Sequence, residues 1–183
     1  NNSANLETES TSQFGPHGGA IYARDYFYIY DSRFIENKAR KGGAICMEYR
    51  VEANVLQNCI FEKNSAVQEG GAIHIDTANT VPISYCSFTN NSAPSGGAIY
   101  IHHEHEGNVE IQYSNFTHNS ATNGSGGAIY GDGATLIIKE YTRFINNTAT
   151  QFGGAIYSDN VVIRDYIYFE KNNATYGGAV YAI

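Results

Sequence analysis

The chain has 183 residues, with 11 Lys and Arg against 18 Asp and Glu, a formal net charge of −7, 19 Gly, 15 Tyr, three Cys and no Trp. That balance offers no basic footprint for nucleic acid or an anionic membrane, and no apolar run approaches the ~18 residues of a direct membrane span. Leu is scarce while Val, Ile, Tyr, Phe and Thr abound, which favours strands, and the length suits one domain with its own core.

Taken in chain order, residues 1–14 read as an incomplete first coil or an extended amino-terminal arm. They open on "NNSA" (1–4), which returns at 90–93, and a start at Asn1 rather than Met suggests a processed or excised chain. From there a unit repeats. Gly-Gly-Ala begins at Gly18, Gly42, Gly70, Gly96, Gly126, Gly153 and Gly177, at intervals of 24, 28, 26, 30, 27 and 24 residues. Between successive pairs lies Phe-x-x-Asn-x-Ala, led by Phe34, Phe61, Phe88, Phe116, Phe144 and Phe169 and carrying Asn37, Asn64, Asn91, Asn119, Asn147 and Asn172. From each Phe to the next Gly pair the distance is nearly fixed, so length variation falls on the other side of the unit.

Each unit shows three strand signals: Gly-Gly-Ala-Ile-Tyr, an alternating stretch such as "VEIQ" (109–112), and Ser/Cys/Thr-x-Phe as in "CSF" (86–88). Such a unit cannot bury its own apolar face, but stacked copies can. The expected fold is therefore all-β: a single-stranded parallel β-helix of about seven coils of 24–30 residues, three short strands per coil, spanning 1–183 as one solenoid. Right-handedness is the default for parallel crossovers. In that frame the Phe rings stack along the axis at about the 4.8 Å strand spacing. Asn bonds its equivalents above and below, and the Gly pair serves a positive φ or a close backbone approach. The place two before each Phe, held by Ser32, Cys59, Cys86, Ser114, Thr142 and Ile167, reads as an inward slot of limited room.

The alternation of GGA[ILV] with FxxN resembles the repeats of chlamydial polymorphic membrane proteins, and also the adhesin-like surface proteins of methanogenic archaea and some protists. The resemblance spans roughly residues 15 to 183 and implies a right-handed β-helix at an extracellular or cell-surface location, commonly in adhesion. It covers the passenger-like part only, since the autotransporter barrel such proteins often carry is not in this sequence.

Period-two alternation turns the residue after each Ile outward, giving a row of Tyr22, Cys46, His74, Tyr100, Tyr130, Tyr157 and Tyr181. Its plain reading is cross-strand aromatic packing; the sharper one makes the Tyr stripe a lateral contact surface for glycan or a second protofilament. Sequons stand at Asn1, Asn90, Asn115, Asn123, Asn146 and Asn173, acceptors for glycosylation if the protein is secreted in a glycosylating organism. The longest insertion, "IHHEHEGN" (101–108), puts His103 and His105 on one strand face as weak metal candidates; a solvated loop is the simpler reading. Cys59 and Cys86 hold equivalent places in consecutive coils and read as buried thiols rather than a disulfide, whereas Cys46 has no evident partner.

No catalytic residue and no cofactor is expected. The acids Asp25, Glu52, Asp76, Glu104, Asp132 and Asp159 scatter through the variable corner without a recurring basic companion. The function expected is that of a non-enzymatic extracellular structural protein, an adhesin-like stalk or a fibre subunit whose open ends stack head to tail. The alternative is a carbohydrate-binding or carbohydrate-active β-helix using the corner loops. The partners expected are the chain itself, end to end or side by side, and glycans or host-cell surface proteins.

Overall fold

The computed structural model describes residues 17–24, 27–48, 54–76, 79–102 and 107–183. These residues wind into a parallel β-helix with four sheets of seven, six, six and five strands, every adjacent pair in a sheet coming from successive turns. One full turn shows the plan: Ile45–Glu48 in sheet 1, Asn54–Gln57 in sheet 2, Ile60–Glu62 in sheet 3 and Ser65–Glu69 in sheet 4. All ladder pairings are parallel, and apart from a shift between Ala39 and Lys41 in sheet 4 they keep register, so equivalent residues sit directly over one another. Ile45 pairs with Ile73 and Ile73 with Ile99; Phe88 pairs with both Phe61 and Phe116.

Two points differ from the sequence expectation. Each turn has four strands, not three, because the Asn-x-Ala segment makes a fourth sheet. In three turns that strand is only two residues long, as in Ser92–Ala93, Ser120–Ala121 and Thr148–Ala149, too short to carry a period of its own. The coil count is also lower than seven. Among the described residues five turns are complete, a sixth has strands in three sheets, and a seventh contributes only Val180–Ala182.

The core is a column of like on like. Phe34, Phe61, Phe88, Phe116, Phe144 and Phe169 stack face to face at 4.9, 4.7, 4.6, 4.9 and 5.2 Å between centroids, in the offset range that aromatic pairs favour. Ile73, Ile99, Ile129 and Ile156 run beside them, fully buried. At the corner between sheets 3 and 4 the Asn side chains form a continuous ladder. Asn91 Nδ2 donates to Phe61 O and to Asn119 Oδ1, both at 3.0 Å, while the Asn91 amide also donates to Asn119 Oδ1 at 3.0 Å. The same triplet recurs at Asn64, Asn119 and Asn147.

The two glycines of a pair answer different demands. Gly126 has φ +67°, the left-handed region an L-residue adopts at a cost. Gly127 lies so close to the next turn that a Cβ would sit 2.0 Å from Gly154 O and 2.5 Å from Thr148 O. The slot before Phe accepts small donors because its side chain binds the carbonyl two or three residues back: Ser114 Oγ to Gln112 O at 2.8 Å, Cys86 Sγ to Ser84 O at 3.3 Å, Thr142 Oγ1 to Lys139 O at 2.9 Å. Cys46, Cys59 and Cys86 are all free and buried.

Candidate functional surface

Two turn positions recur in each coil as left-handed without glycine, joined in two coils by Glu140 and Asp165, and they set what the outside displays. One follows Phe by two residues: Glu36, Lys63, Asn90, His118, Asn146 and Lys171, with φ between 51° and 56°. The other precedes Phe by three: Asp31, Asn58, Tyr85, Tyr113, Tyr141 and Tyr166, with φ between 48° and 63°. Non-Gly residues rarely adopt this conformation. Here the helical register holds them, since their amides still donate along the stack, as Tyr113 N does to Glu140 O at 2.8 Å.

The second of these rows becomes aromatic over its last four turns. Tyr85, Tyr113, Tyr141 and Tyr166 stack at 4.8, 6.1 and 5.3 Å, and Tyr141 and Tyr166 are 60% and 78% exposed. Beside them run the outward residues of sheet 3. Arg143 lies over the Tyr168 ring at 5.0 Å, and Asn115, Arg143 and Tyr168 join the four tyrosines to line an open groove of about 530 Å³. A ring packed between two neighbours offers its edge and hydroxyl rather than its face. The groove therefore presents phenol groups at the turn spacing with one guanidinium among them.

The stripe expected to lie outside is placed differently from its sequence reading. Tyr22 is exposed, but Tyr100, Tyr130, Tyr157 and Tyr181 are half-buried and Cys46 and His74 are fully buried. The physical reason is the Gly pair. It turns the chain so sharply that the residue just before it folds over the residue that follows Ile. His17 thus meets Tyr22 at 6.1 Å, Glu69 Oε2 lies 3.6 Å from His74 Nδ1, and Phe152 packs on Tyr157 at 6.3 Å and on Tyr181 at 4.7 Å. Within the stripe, Tyr100, Tyr130 and Tyr157 stack at 4.7 Å each. Burial, and then the charge of Tyr157, push the Tyr130 phenol up to about 12; burial does the same to Tyr100.

At the start of this concave corner several polar groups converge. Glu48 accepts from the Tyr22 hydroxyl at 2.8 Å, its other oxygen lies 2.8 Å from His17 Nδ1, and the Cys46 thiol donates to that same oxygen at 3.6 Å. Cys46 is thus neither outward nor without a partner. Burial first, then the Glu48 charge, raise its thiol well above the usual range. His74, the register partner of Cys46 one turn on, is 1% exposed with neither ring nitrogen hydrogen-bonded. Desolvation, helped by Lys41, holds its imidazole neutral.

The other sequence candidates fall as follows. His103, His105, Asn1 and the segment 1–14 lie outside the described residues, as do Asp25, Glu52 and Glu104. Asn90, Asn115, Asn123 and Asn173 are exposed and Asn146 is half-buried. Asp76 and Asp132 end strands of sheet 1, Asp132 lying 3.5 Å from His102, and the Asp159 carboxylate accepts from Gly133 N at 3.0 Å. The tyrosine groove and the row before the Gly pair escape a sequence reading, because neither row keeps one residue type along the chain.

No helix among the described residues is long and apolar enough to cross a membrane. Comparison with curated proteins matches nothing, and comparison with solved structures likewise matches nothing. The Chlamydia polymorphic membrane protein repeat matches at residues 141–159 and 166–183, and the right-handed β-helix region matches at residues 1–149. With the second of these covering most of the chain, and with the parallel in-register coils described above, the chain belongs to the right-handed β-helix family and carries polymorphic-membrane-protein-type repeats in its last turns.

Proposed function

We propose that the chain is the shaft of a non-enzymatic, adhesin-like protein displayed at a cell surface, and that it meets a glycan along the corner between sheets 2 and 3. The repeats shared with the Chlamydia polymorphic membrane protein family support the surface setting. The observation that carries the contact is the exposed ladder Tyr85–Tyr113–Tyr141–Tyr166 with Arg143 and Tyr168 beside it. A row of phenol hydroxyls repeating every turn matches the spaced hydroxyls of an extended sugar chain, and a single guanidinium suits a carboxylate or sulfate on it. Exposed aromatic patches of this kind mark contact sites.

A glycan array read with the wild-type chain and with Tyr113→Ala/Tyr141→Ala tests this directly. Binding to acidic oligosaccharides should fall at least tenfold in the double variant and in Arg143→Ala. Unchanged binding in both would remove the groove from the reading. Release of products from acidic polysaccharides by the wild-type chain would instead revive the carbohydrate-active alternative. Self-association along the axis, the fibre version, is decided by sedimentation velocity at rising concentration; monomers throughout would eliminate it.

A further inference from the structure

The row of sheet 1 that follows each Ile or Val is tyrosine at five of its seven places, Tyr22, Tyr100, Tyr130, Tyr157 and Tyr181, and departs from tyrosine at two. The two departures are consecutive, Cys46 and His74, and both are residue types that bind metals. Beside them the fold brings a second imidazole and a carboxylate. His17 comes from the row before the Gly pair, where it bridges to Lys41 of the next turn. Glu48 comes from the same strand as Cys46, two residues on and therefore on the same face. One ligand atom from each of His17, Cys46 and Glu48 lies within 4.8 Å of the other two.

We propose that His17, Cys46 and Glu48 bind a borderline transition-metal ion, with Zn²⁺ the best fit, leaving the fourth tetrahedral position to water. Zinc takes thiolate, imidazole and carboxylate at about 2.0–2.3 Å, so neighbouring donors in a tetrahedral site stand roughly 3.4–3.7 Å apart. The Cys46 Sγ to Glu48 Oε1 separation is already 3.6 Å. The His17 to Glu48 contact, a hydrogen bond at 2.8 Å, opens by about half an ångström as the ion takes its place. Sulfur and nitrogen in the set disfavour Ca²⁺ and Mg²⁺, which take oxygen. Lys41, a cationic neighbour of Cys46, is held by Glu69 at 3.0 Å, and Asp76, the register partner of Glu48, adds negative charge.

His74 is the independent witness. Its buried imidazole, one turn along the row from Cys46, has neither nitrogen hydrogen-bonded, so this corner keeps a polar group without a hydrogen-bonding protein partner. The site lies across the turn from the tyrosine groove and does not depend on that groove's role.

The test is titration of the metal-free full chain with Co²⁺. One equivalent should give a thiolate-to-cobalt charge-transfer band in the near ultraviolet, bleached by one equivalent of Zn²⁺, and Zn²⁺ should raise the thermal midpoint. Cys46→Ser should abolish the band, while Cys59→Ser and Cys86→Ser keep it. His17→Gln, which keeps a polar side chain of similar length, should weaken Zn²⁺ binding about tenfold or more. Absence of the band, its survival in Cys46→Ser, or equal Zn²⁺ affinity in His17→Gln would overturn the proposal.

Discussion

Replacing Asn119 by Ala isolates what the interior polar ladder contributes. The side chain makes four hydrogen bonds: Nδ2 donates to Phe88 O and Asn147 Oδ1, and Oδ1 accepts from the amide and the Nδ2 of Asn91, each at 3.0 Å. The Ala variant strands the acceptors mildly, because Asn147 Oδ1 still receives the residue 119 amide. Two Asn91 N–H groups, however, lose their only partner in a region with no solvent contact. At about 1–3 kcal/mol for each buried orphan, with a small cavity added, the loss should be roughly 3–5 kcal/mol. The equivalent change at Asn172 removes the same two acceptor bonds, from the amide and the Nδ2 of Asn147, both at 3.0 Å. Asn172 is half-buried, so water can replace it, and the cost should stay near 1 kcal/mol. Urea unfolding followed by circular dichroism gives the totals. Because solenoid turns can unravel separately, hydrogen exchange at the Asn91 amide should report the local opening. Equal losses at the two positions would refute the argument, since bond count alone would then set the cost.

Gly127→Ala should be worse than Asn119→Ala, because its Cβ would lie 2.0 Å from Gly154 O and neither strand can retreat; loss of cooperative unfolding in circular dichroism would show it. Cys86→Ser should be nearly neutral, within about 1 kcal/mol, since Ser114 makes the same bond to the carbonyl two residues back. Cys86→Val, which cannot donate, should be measurably worse in the same melt. Tyr100 and Tyr130 should make the fold alkali-sensitive. Their folded pKa lies above the unfolded value of about 10, so the native state holds protons that the unfolded chain has released. Stability is therefore full below about pH 10 and falls as pH rises towards about 12, where Tyr130 titrates. Tyr130→Phe should flatten that fall in a pH series of thermal melts; an unchanged slope would count against the cause.

The parts legible in the sequence were those whose residue type cannot change from turn to turn. Phe88 must lie on Phe61 and Phe116, Asn91 must bond Asn119, and Gly127 must clear Gly154. Each constraint imposes identity along the chain, so a period of 24 to 30 residues reveals it. The fourth strand was not legible because Ser92–Ala93 is shorter than any alternation. The exposed tyrosine ladder was hidden for two reasons: its row begins with Asp31 and Asn58, and a left-handed Tyr is not what turn chemistry leads one to expect. The burial of Cys46 and His74 was hidden because alternation along one strand says which face a residue takes, not what folds over it. The covering row reads His17, Lys41, Glu69, Ser95, Ser125, Phe152, Tyr176, with no common chemistry to mark it.

In-register stacking also governs where charge can go. Any residue in a row has its counterpart about 4.8 Å away, so a row of like charges would repel along its whole length. The described rows avoid this by changing sign between turns. Lys41 pairs with Glu69 at 3.0 Å and His102 lies 3.5 Å from Asp132, while Lys139 reaches diagonally to Glu110 of the neighbouring row at 2.9 Å. Among the register partners described, Glu48 and Asp76 are the like-charged pair that breaks the pattern. The exception falls beside Cys46 and His74, the two places where the tyrosine row is broken. Charge pattern, row composition and the unbonded imidazole thus single out one corner of the second and third turns by three separate routes.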